Sequence, residues 1–246
     1  MKVRVKFRKY GIMRFIGHLD LMRYFQKAVR RADIDIKYSE GFSPHMIMSF
    51  ASPLGVGLTS DGEYMDIELN SAISSAEGVE RLNARMTEGV EVVSFREIPG
   101  EKSANAMAIL AAADYEVGFR DSGELPVLFK DGSALGAAWD SFYAQESIPV
   151  VKKTKKGERE LDIKPLIYGA ECRGNRIFMK LSAGSAQNVK PELVMEAFAA
   201  HAGVVIPKFA LLVHRLEMYA VLPEENQGDG SGGQRFISLE DLGRDI

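Results

Sequence analysis

Lys2-Val3-Arg4-Val5-Lys6-Phe7-Arg8 alternates strictly, with Val3, Val5 and Phe7 on one side and Lys2, Arg4, Lys6 and Arg8 on the other. A period of two belongs to a strand with one buried face, so residues 2–8 read as a half-buried β-strand. After Tyr10-Gly11 the period changes. Leu21, Met22, Phe25, Ala28, Val29 and Ala32 recur at helical spacing over 18–32 and form an apolar stripe wide enough to pack on a sheet. Ile34–Tyr38, a Gly-Phe-Ser-Pro turn at 41–44 and an apolar run over 46–51 read as a strand resuming after an interruption. Residues 63–69 alternate again, 74–87 suit a helix begun by Ser74 or Ser75, and Val90–Ile98 suit a closing strand. The order is β-α-β-β-α-β.

The same order recurs downstream. Residues 113–120 alternate, and Leu135, Ala138, Trp139 and Phe142 mark a helical face. Pro149–Lys153 and Arg159–Ile163 flank a Lys-Lys-Gly turn, and two apolar segments flank Gly174-Asn175. Pro191–His201 is a helix with a first-turn proline, and Phe209–Leu222 closes as a strand. Strands joined through helices favour right-handed crossovers, which makes each half a split β-α-β sandwich. The fold class expected is therefore α+β: two tandem ferredoxin-like domains with antiparallel sheets, at 1–100 and 110–222, the second carrying an inserted hairpin. Residues 223–246 open on an acidic run rich in Gly, Asn and Gln, and are expected to be a flexible tail with a short helix at 238–243.

Charge is sorted along the chain. The protein has a net charge of −3, yet its first fifty residues hold eleven Lys/Arg against four Asp/Glu, a net of +7. Such sorting points to an anionic partner, RNA above all. No apolar signal core precedes the first strand, and no stretch approaches eighteen uninterrupted apolar residues, so a cytoplasmic protein without a membrane partner is expected. The single Cys172 excludes an internal disulfide, an iron–sulfur cluster and a four-sulfur zinc site within this chain. Gly55-Val56-Gly57-Leu58 lacks the lysine of one phosphate-loop fingerprint and the long following helix of both, and reads as a strand connection.

Three features could carry chemistry. Lys2, Arg4, Lys6 and Arg8 would line the open face of a ferredoxin-like sheet and track an RNA backbone, or else pair with Asp66 and Glu68 of a neighbouring strand. Arg23, Lys27, Arg30 and Arg31 form one helix stripe beside Tyr24, whose ring could stack a base while the cations hold phosphates. The loop Tyr38-Ser39-Glu40-Gly41-Phe42-Ser43-Pro44-His45 combines turn residues with two hydroxyls, an imidazole and an aromatic ring. Arg14 and Lys37 complete the cationic set. His18 and His45 are the candidate general acid–base pair for a metal-independent RNA cleavage, and no ligand spacing marks a metal site. The Lys152–Gly157 tip offers a further cluster of cations.

The segments Arg14–Asp20, Arg30–Ala32, Tyr38–His45, Ser49–Ala51 and Gly62–Asp66 resemble the signature of the radical SAM-associated family of unknown function, in its free-standing form. The resemblance is densest over 1–70, thins through 159–163 and 214–217, and leaves 223–246 outside. It implies a radical SAM protein as partner, with the iron–sulfur cluster and S-adenosylmethionine bound there and no cofactor on this chain. It also implies tRNA or rRNA as the shared substrate. An architectural likeness to the CRISPR repeat-processing endoribonucleases accompanies the tandem-domain reading. The expected function is an RNA-binding accessory module without catalytic activity. The alternatives are an endoribonuclease using His18 and His45, and a protein–protein adaptor for the radical SAM partner that makes no RNA contact.

Overall fold

The computed structural model describes residues 1–101, 104–121, 123–154, 157–222 and 234–246. The protein is mixed α+β with mostly antiparallel strand pairing. It divides into two units, 1–112 with 217–246, and 113–216.

In the first unit, β1 (Lys2–Lys9) is central and pairs antiparallel with β3 (Thr59–Glu68) on one side and β4 (Val90–Ile98) on the other. The short β2 (Met48–Phe50) pairs with β3. Val3, Val5 and Phe7 are fully buried, as the alternation predicts. Against them α1 (His18–Arg31) lays Leu21, Phe25 and Val29, and the Phe7 and Phe25 rings lie 4.6 Å apart. Helix α2 (Ser75–Asn83) begins where Ser74 accepts a hydrogen bond from the Glu77 amide. It packs on β4 through Gly78, where a Cβ would sit 2.6 Å from the Phe95 ring, so this approach requires glycine.

The opposite face of this sheet departs from expectation. It was predicted to be open, and it is covered by the short α3 (Ala106–Ile109) and the 234–246 segment, with Glu217 near the end of β10 (Leu211–Val221) reaching Lys6. Residues 234–246 are therefore no free tail. Within them β11 (Phe236–Ser238) pairs with Tyr219–Val221, Leu239 is fully buried, and Arg244 exchanges two backbone hydrogen bonds with Glu97. Turns at 239–242 and a bend at 243 stand in place of the expected short helix at 238–243. The covering segment also moves the boundary, because 217–222 belongs with the first unit and not with the 110–222 domain predicted from sequence. Residues 223–233 of the expected tail lie outside the described residues.

The second unit contains residues 113–119 of β5 (Leu110–Phe119), α4 (Gly132–Tyr143), β8 (Ile167–Arg173), β9 (Arg176–Ser182), α5 (Pro191–His201) and residues 211–216 of β10. Its strand order is β10-β5-β9-β8. β6 (Pro149–Thr154) and β7 (Gly157–Asp162) form the separate inserted hairpin, whose tip residues 155–156 lie outside the described residues. Asp131 caps α4 by accepting from the Ser133 and Ala134 amides. Trp139, Phe142 and Phe198 form an aromatic core with ring centroids 5.2 to 5.5 Å apart. β8 turns into β9 through Gly174 at φ 59°, a left-handed conformation that suits glycine.

Candidate nucleic-acid interface

The cations of β1 face carboxylates. Arg4, only 2% exposed, makes a bidentate pair with Asp66 at 2.8 and 3.0 Å, and donates to the carbonyls of Ala104 and Leu239. Asp66 also accepts from the Ala106 amide at 2.7 Å. Lys6, 14% exposed, donates to Glu217 and Glu240 at 2.7 Å each. Burial lowers the Lys6 pKa, but these two hydrogen bonds and charges outweigh it and leave the pKa raised. Tyr64 donates to Glu217 at 2.5 Å, and burial followed by the Glu217 charge pushes its hydroxyl far above the ordinary tyrosine value. Burial raises Glu240, yet hydrogen bonds from Lys6 and Ser94 and the charges of Lys6 and Arg96 hold it below the usual carboxylate range. At the ends of the strand, Lys2 lies 3.8 Å from Glu68, while Arg8 pairs with Asp61 and Glu91. The row read as an open track for an RNA backbone is thus enclosed and neutralised at Arg4 and Lys6, while Lys2 and Arg8 at its ends are paired but keep contact with water. Asp66 and Glu68, the partners of Arg4 and Lys2, are the neighbouring-strand carboxylates that the sequence offered as the alternative.

Helix α1 is the reverse case. Arg23, Lys27, Arg30 and Arg31 are all exposed on the side opposite Phe25 and Val29. Arg23 is 68% exposed and, among the described residues, pairs with Asp20 alone, at 3.5 Å. Among the described residues, neither Lys27 nor Arg30 has a carboxylate partner. Arg23 and Lys27, like Lys27 and Arg31, are like charges four residues apart, a spacing that disfavours an isolated helix by about 0.2–0.5 kcal/mol per pair. Arg30 and Arg31 gain from the helix C-terminal dipole. A stripe that repels itself is what an anionic ligand would stabilise.

Tyr24 does not stand free beside that stripe. Its hydroxyl accepts from the Thr87 amide at 2.7 Å and its ring packs edge-on to Phe25, because α1 and the turn after α2 lie side by side. Arg14 is half-buried, with its guanidinium 4.7 Å from the Phe15 centroid. Lys37 is half-exposed and 3.8 Å from Glu68.

The 38–45 loop is closed by Ser39 and His45. The Ser39 amide donates to the His45 carbonyl, the His45 amide donates to the Ser39 hydroxyl, and that hydroxyl lies 2.8 Å from His45 Nδ1. This double clasp projects Phe42 fully into solvent, with Tyr38 also exposed. His18 instead packs edge-on to Phe50 at 5.3 Å. Each histidine therefore has its own structural partner. Ile12, Phe15 and Leu19 are exposed apolar side chains preceding or beginning α1.

Arg85 escaped the sequence reading. It is exposed and donates to the carbonyl of Arg31 at 3.0 Å, adding a cation to the end of the α1 stripe. Nothing local in the sequence marks a contact between residues 54 positions apart. Among the described residues, no group of three or more His, Cys, Asp or Glu side chains could hold a metal ion, and no helix is long and apolar enough to cross a membrane. No curated protein matches the chain. One family does match over residues 2–191, which takes in the α1 stripe, the 38–45 loop and most of the second unit, and the chain accordingly belongs to the family described as uncharacterized protein conserved in bacteria (DUF2344).

Proposed function

We propose that this protein is a cytoplasmic RNA-binding accessory module that presents tRNA or rRNA to a radical SAM enzyme. The carrying observation is the exposed, self-repelling stripe of Arg23, Lys27, Arg30 and Arg31. A surface that sets four cations against the one carboxylate of Asp20 gains from releasing the counterions of a phosphate backbone. The Phe42 and Tyr38 rings of the 38–45 loop supply aromatic surface for unpaired bases. The radical SAM partner rests on the resemblance carried by residues 14–20, 30–32 and 38–45.

Two ferredoxin-like repeats are part of this reading. The orders β4-β1-β3-β2 and β10-β5-β9-β8, each with two helices between strands, support it, since a split β-α-β sandwich has its first and third strands central. The test is to change Arg23, Lys27 and Arg30 together to Ala and titrate cellular tRNA and rRNA across salt concentrations. Weaker binding with a flatter salt dependence is expected, and unchanged binding sinks the proposal.

One observation favours a second reading, a protein adaptor. Ile12, Phe15 and Leu19 expose apolar surface next to Arg14, which suits a protein partner better than a phosphate backbone. Co-purification of the radical SAM partner that survives nuclease treatment would select the adaptor. The endoribonuclease alternative has no observation in its favour, since His18 packs on Phe50 and His45 is tied to Ser39.

A further inference from the structure

The second unit presents a sheet face that its helices do not use. Ile177, Met179 and Leu181 of β9 are buried, so Phe178 and Lys180 point the other way. The same alternation on β5 turns Tyr115 and Val117 inward and Asp114 and Glu116 outward. Cross-strand ion pairs between Lys180 and Asp114, 3.5 Å apart, and between Arg176 and Glu116 place all four on one face. In the β8–β9 register, Glu171 lies opposite Phe178 and Gly169 opposite Lys180. The Arg173 guanidinium stacks 4.7 Å from the Phe178 centroid.

Asp114, Gly169, Glu171, Arg173, Phe178 and Lys180 line an open cavity of about 440 Å³, a size that ligand sites commonly have. Gly169 helps keep it open: a Cβ there would meet nothing within 4 Å, so the space is unfilled by any neighbouring side chain. A half-buried phenylalanine on the helix-free side of a sheet, carrying a planar guanidinium and bordering an unfilled cavity, is a ready stacking platform.

We propose that this face of the second unit binds an unpaired RNA base, stacked against the Phe178–Arg173 platform. The inference rests on the RNA-binding reading above and gives it a second contact. The occupant follows from the charge pattern. Cations and carboxylates alternate and balance, so the face does not attract a polyanion as α1 does. It instead offers acceptors, Asp114 and Glu171, to the amino groups of a base edge, and donors, Lys180 and Arg173, to base carbonyls and the flanking phosphate. The division of labour is that α1 supplies salt-dependent affinity, and the Phe178 face adds a stacking site to that of Phe42 and Tyr38.

The test uses the full chain and fluorescein-labelled single-stranded ten-nucleotide oligo-adenosine and oligo-uridine, read by fluorescence anisotropy at several salt concentrations. Phe178→Ala should weaken binding about tenfold without changing the salt slope, as loss of one stacked base does. Phe178→Tyr, which keeps the ring, should bind as the parent does. Gly169→Val leaves the ring in place and fills the cavity, and should also weaken binding, which keeps the test readable if Phe178→Ala unfolds. If the parent binds and the Arg23, Lys27 and Arg30 variant loses binding while Phe178→Ala and Gly169→Val do not, this inference is overturned and the proposed function stands. If the parent binds neither oligonucleotide nor cellular RNA, both fall together.

Discussion

Strand β1 and helix α1 are neighbours in sequence and both rich in Lys and Arg, but they hold their charge in opposite ways. On β1, Arg4 and Lys6 are enclosed with Asp66, Glu217 and Glu240, under segments that arrive from residues 104–106 and 239–240. On α1, Arg23, Lys27 and Arg30 face solvent, and among the described residues Asp20, paired with Arg23, is the one carboxylate that meets them. Density of charge along a sequence therefore does not locate a binding surface. What decides is whether a covering segment brings carboxylates to it, and the two regions separate structural cations from available ones.

The largest effect that could break this contrast belongs to Asp66. Asp66→Ala leaves the Arg4 guanidinium enclosed without its carboxylate and should destabilise the protein by about 3–5 kcal/mol, read as a shift in the urea unfolding midpoint. A change below about 1 kcal/mol would show that Arg4 escapes to water and that the strand is not enclosed as described.

Next in size is an acid dependence at Glu240. Because its folded pKa is held below the ordinary carboxylate value, its contribution is fully present above the unfolded value of about 4.3 and is lost as pH falls through the lower folded value. Glu240→Gln should flatten that part of the stability–pH curve, measured by urea unfolding between pH 2 and 6. An unchanged curve would mean that the Lys6 contact contributes nothing to folding.

A smaller change is expected at the exposed end of β1. Arg8 pairs with Asp61 and Glu91 in partial contact with water, so Arg8→Ala should cost no more than about 1 kcal/mol. The smallest belongs to α1, where replacing Arg23, Lys27 and Arg30 by Ala should leave stability within about 0.5 kcal/mol or raise it slightly by relieving repulsion. A pronounced loss in thermal unfolding would move these side chains from the available class to the structural one.

The sequence made local periodicity legible. β4 and α5 match the predicted residues 90–98 and 191–201, α1 begins at His18 as predicted, and the inserted hairpin appears where two strands flank the Lys-Lys-Gly turn. The fate of Arg4 and Lys6 was not legible, because Asp66, Glu217 and Leu239 lie from 62 to 235 residues away. The 234–246 segment was also hidden: the acidic, glycine-rich run before it carries the compositional signal of a tail, and the short strand 236–238 is too brief to show a period. At the candidate interface, the exposed α1 stripe follows from spacing alone. The clasp between Ser39 and His45 and the tie between Tyr24 and Thr87 are contacts that only the folded backbone creates.

The enclosure of Leu239 and the pairing of β11 also set an order of events during synthesis. The second unit is one uninterrupted stretch, 113–216, and can collapse as soon as it leaves the ribosome. The first unit must wait, with Arg4 and Lys6 emerging early and their partners Glu217, Leu239 and Glu240 more than 200 residues later. During that interval the nascent chain displays a cationic strand that the finished protein conceals, and chaperone dependence should concentrate in the half that is made first.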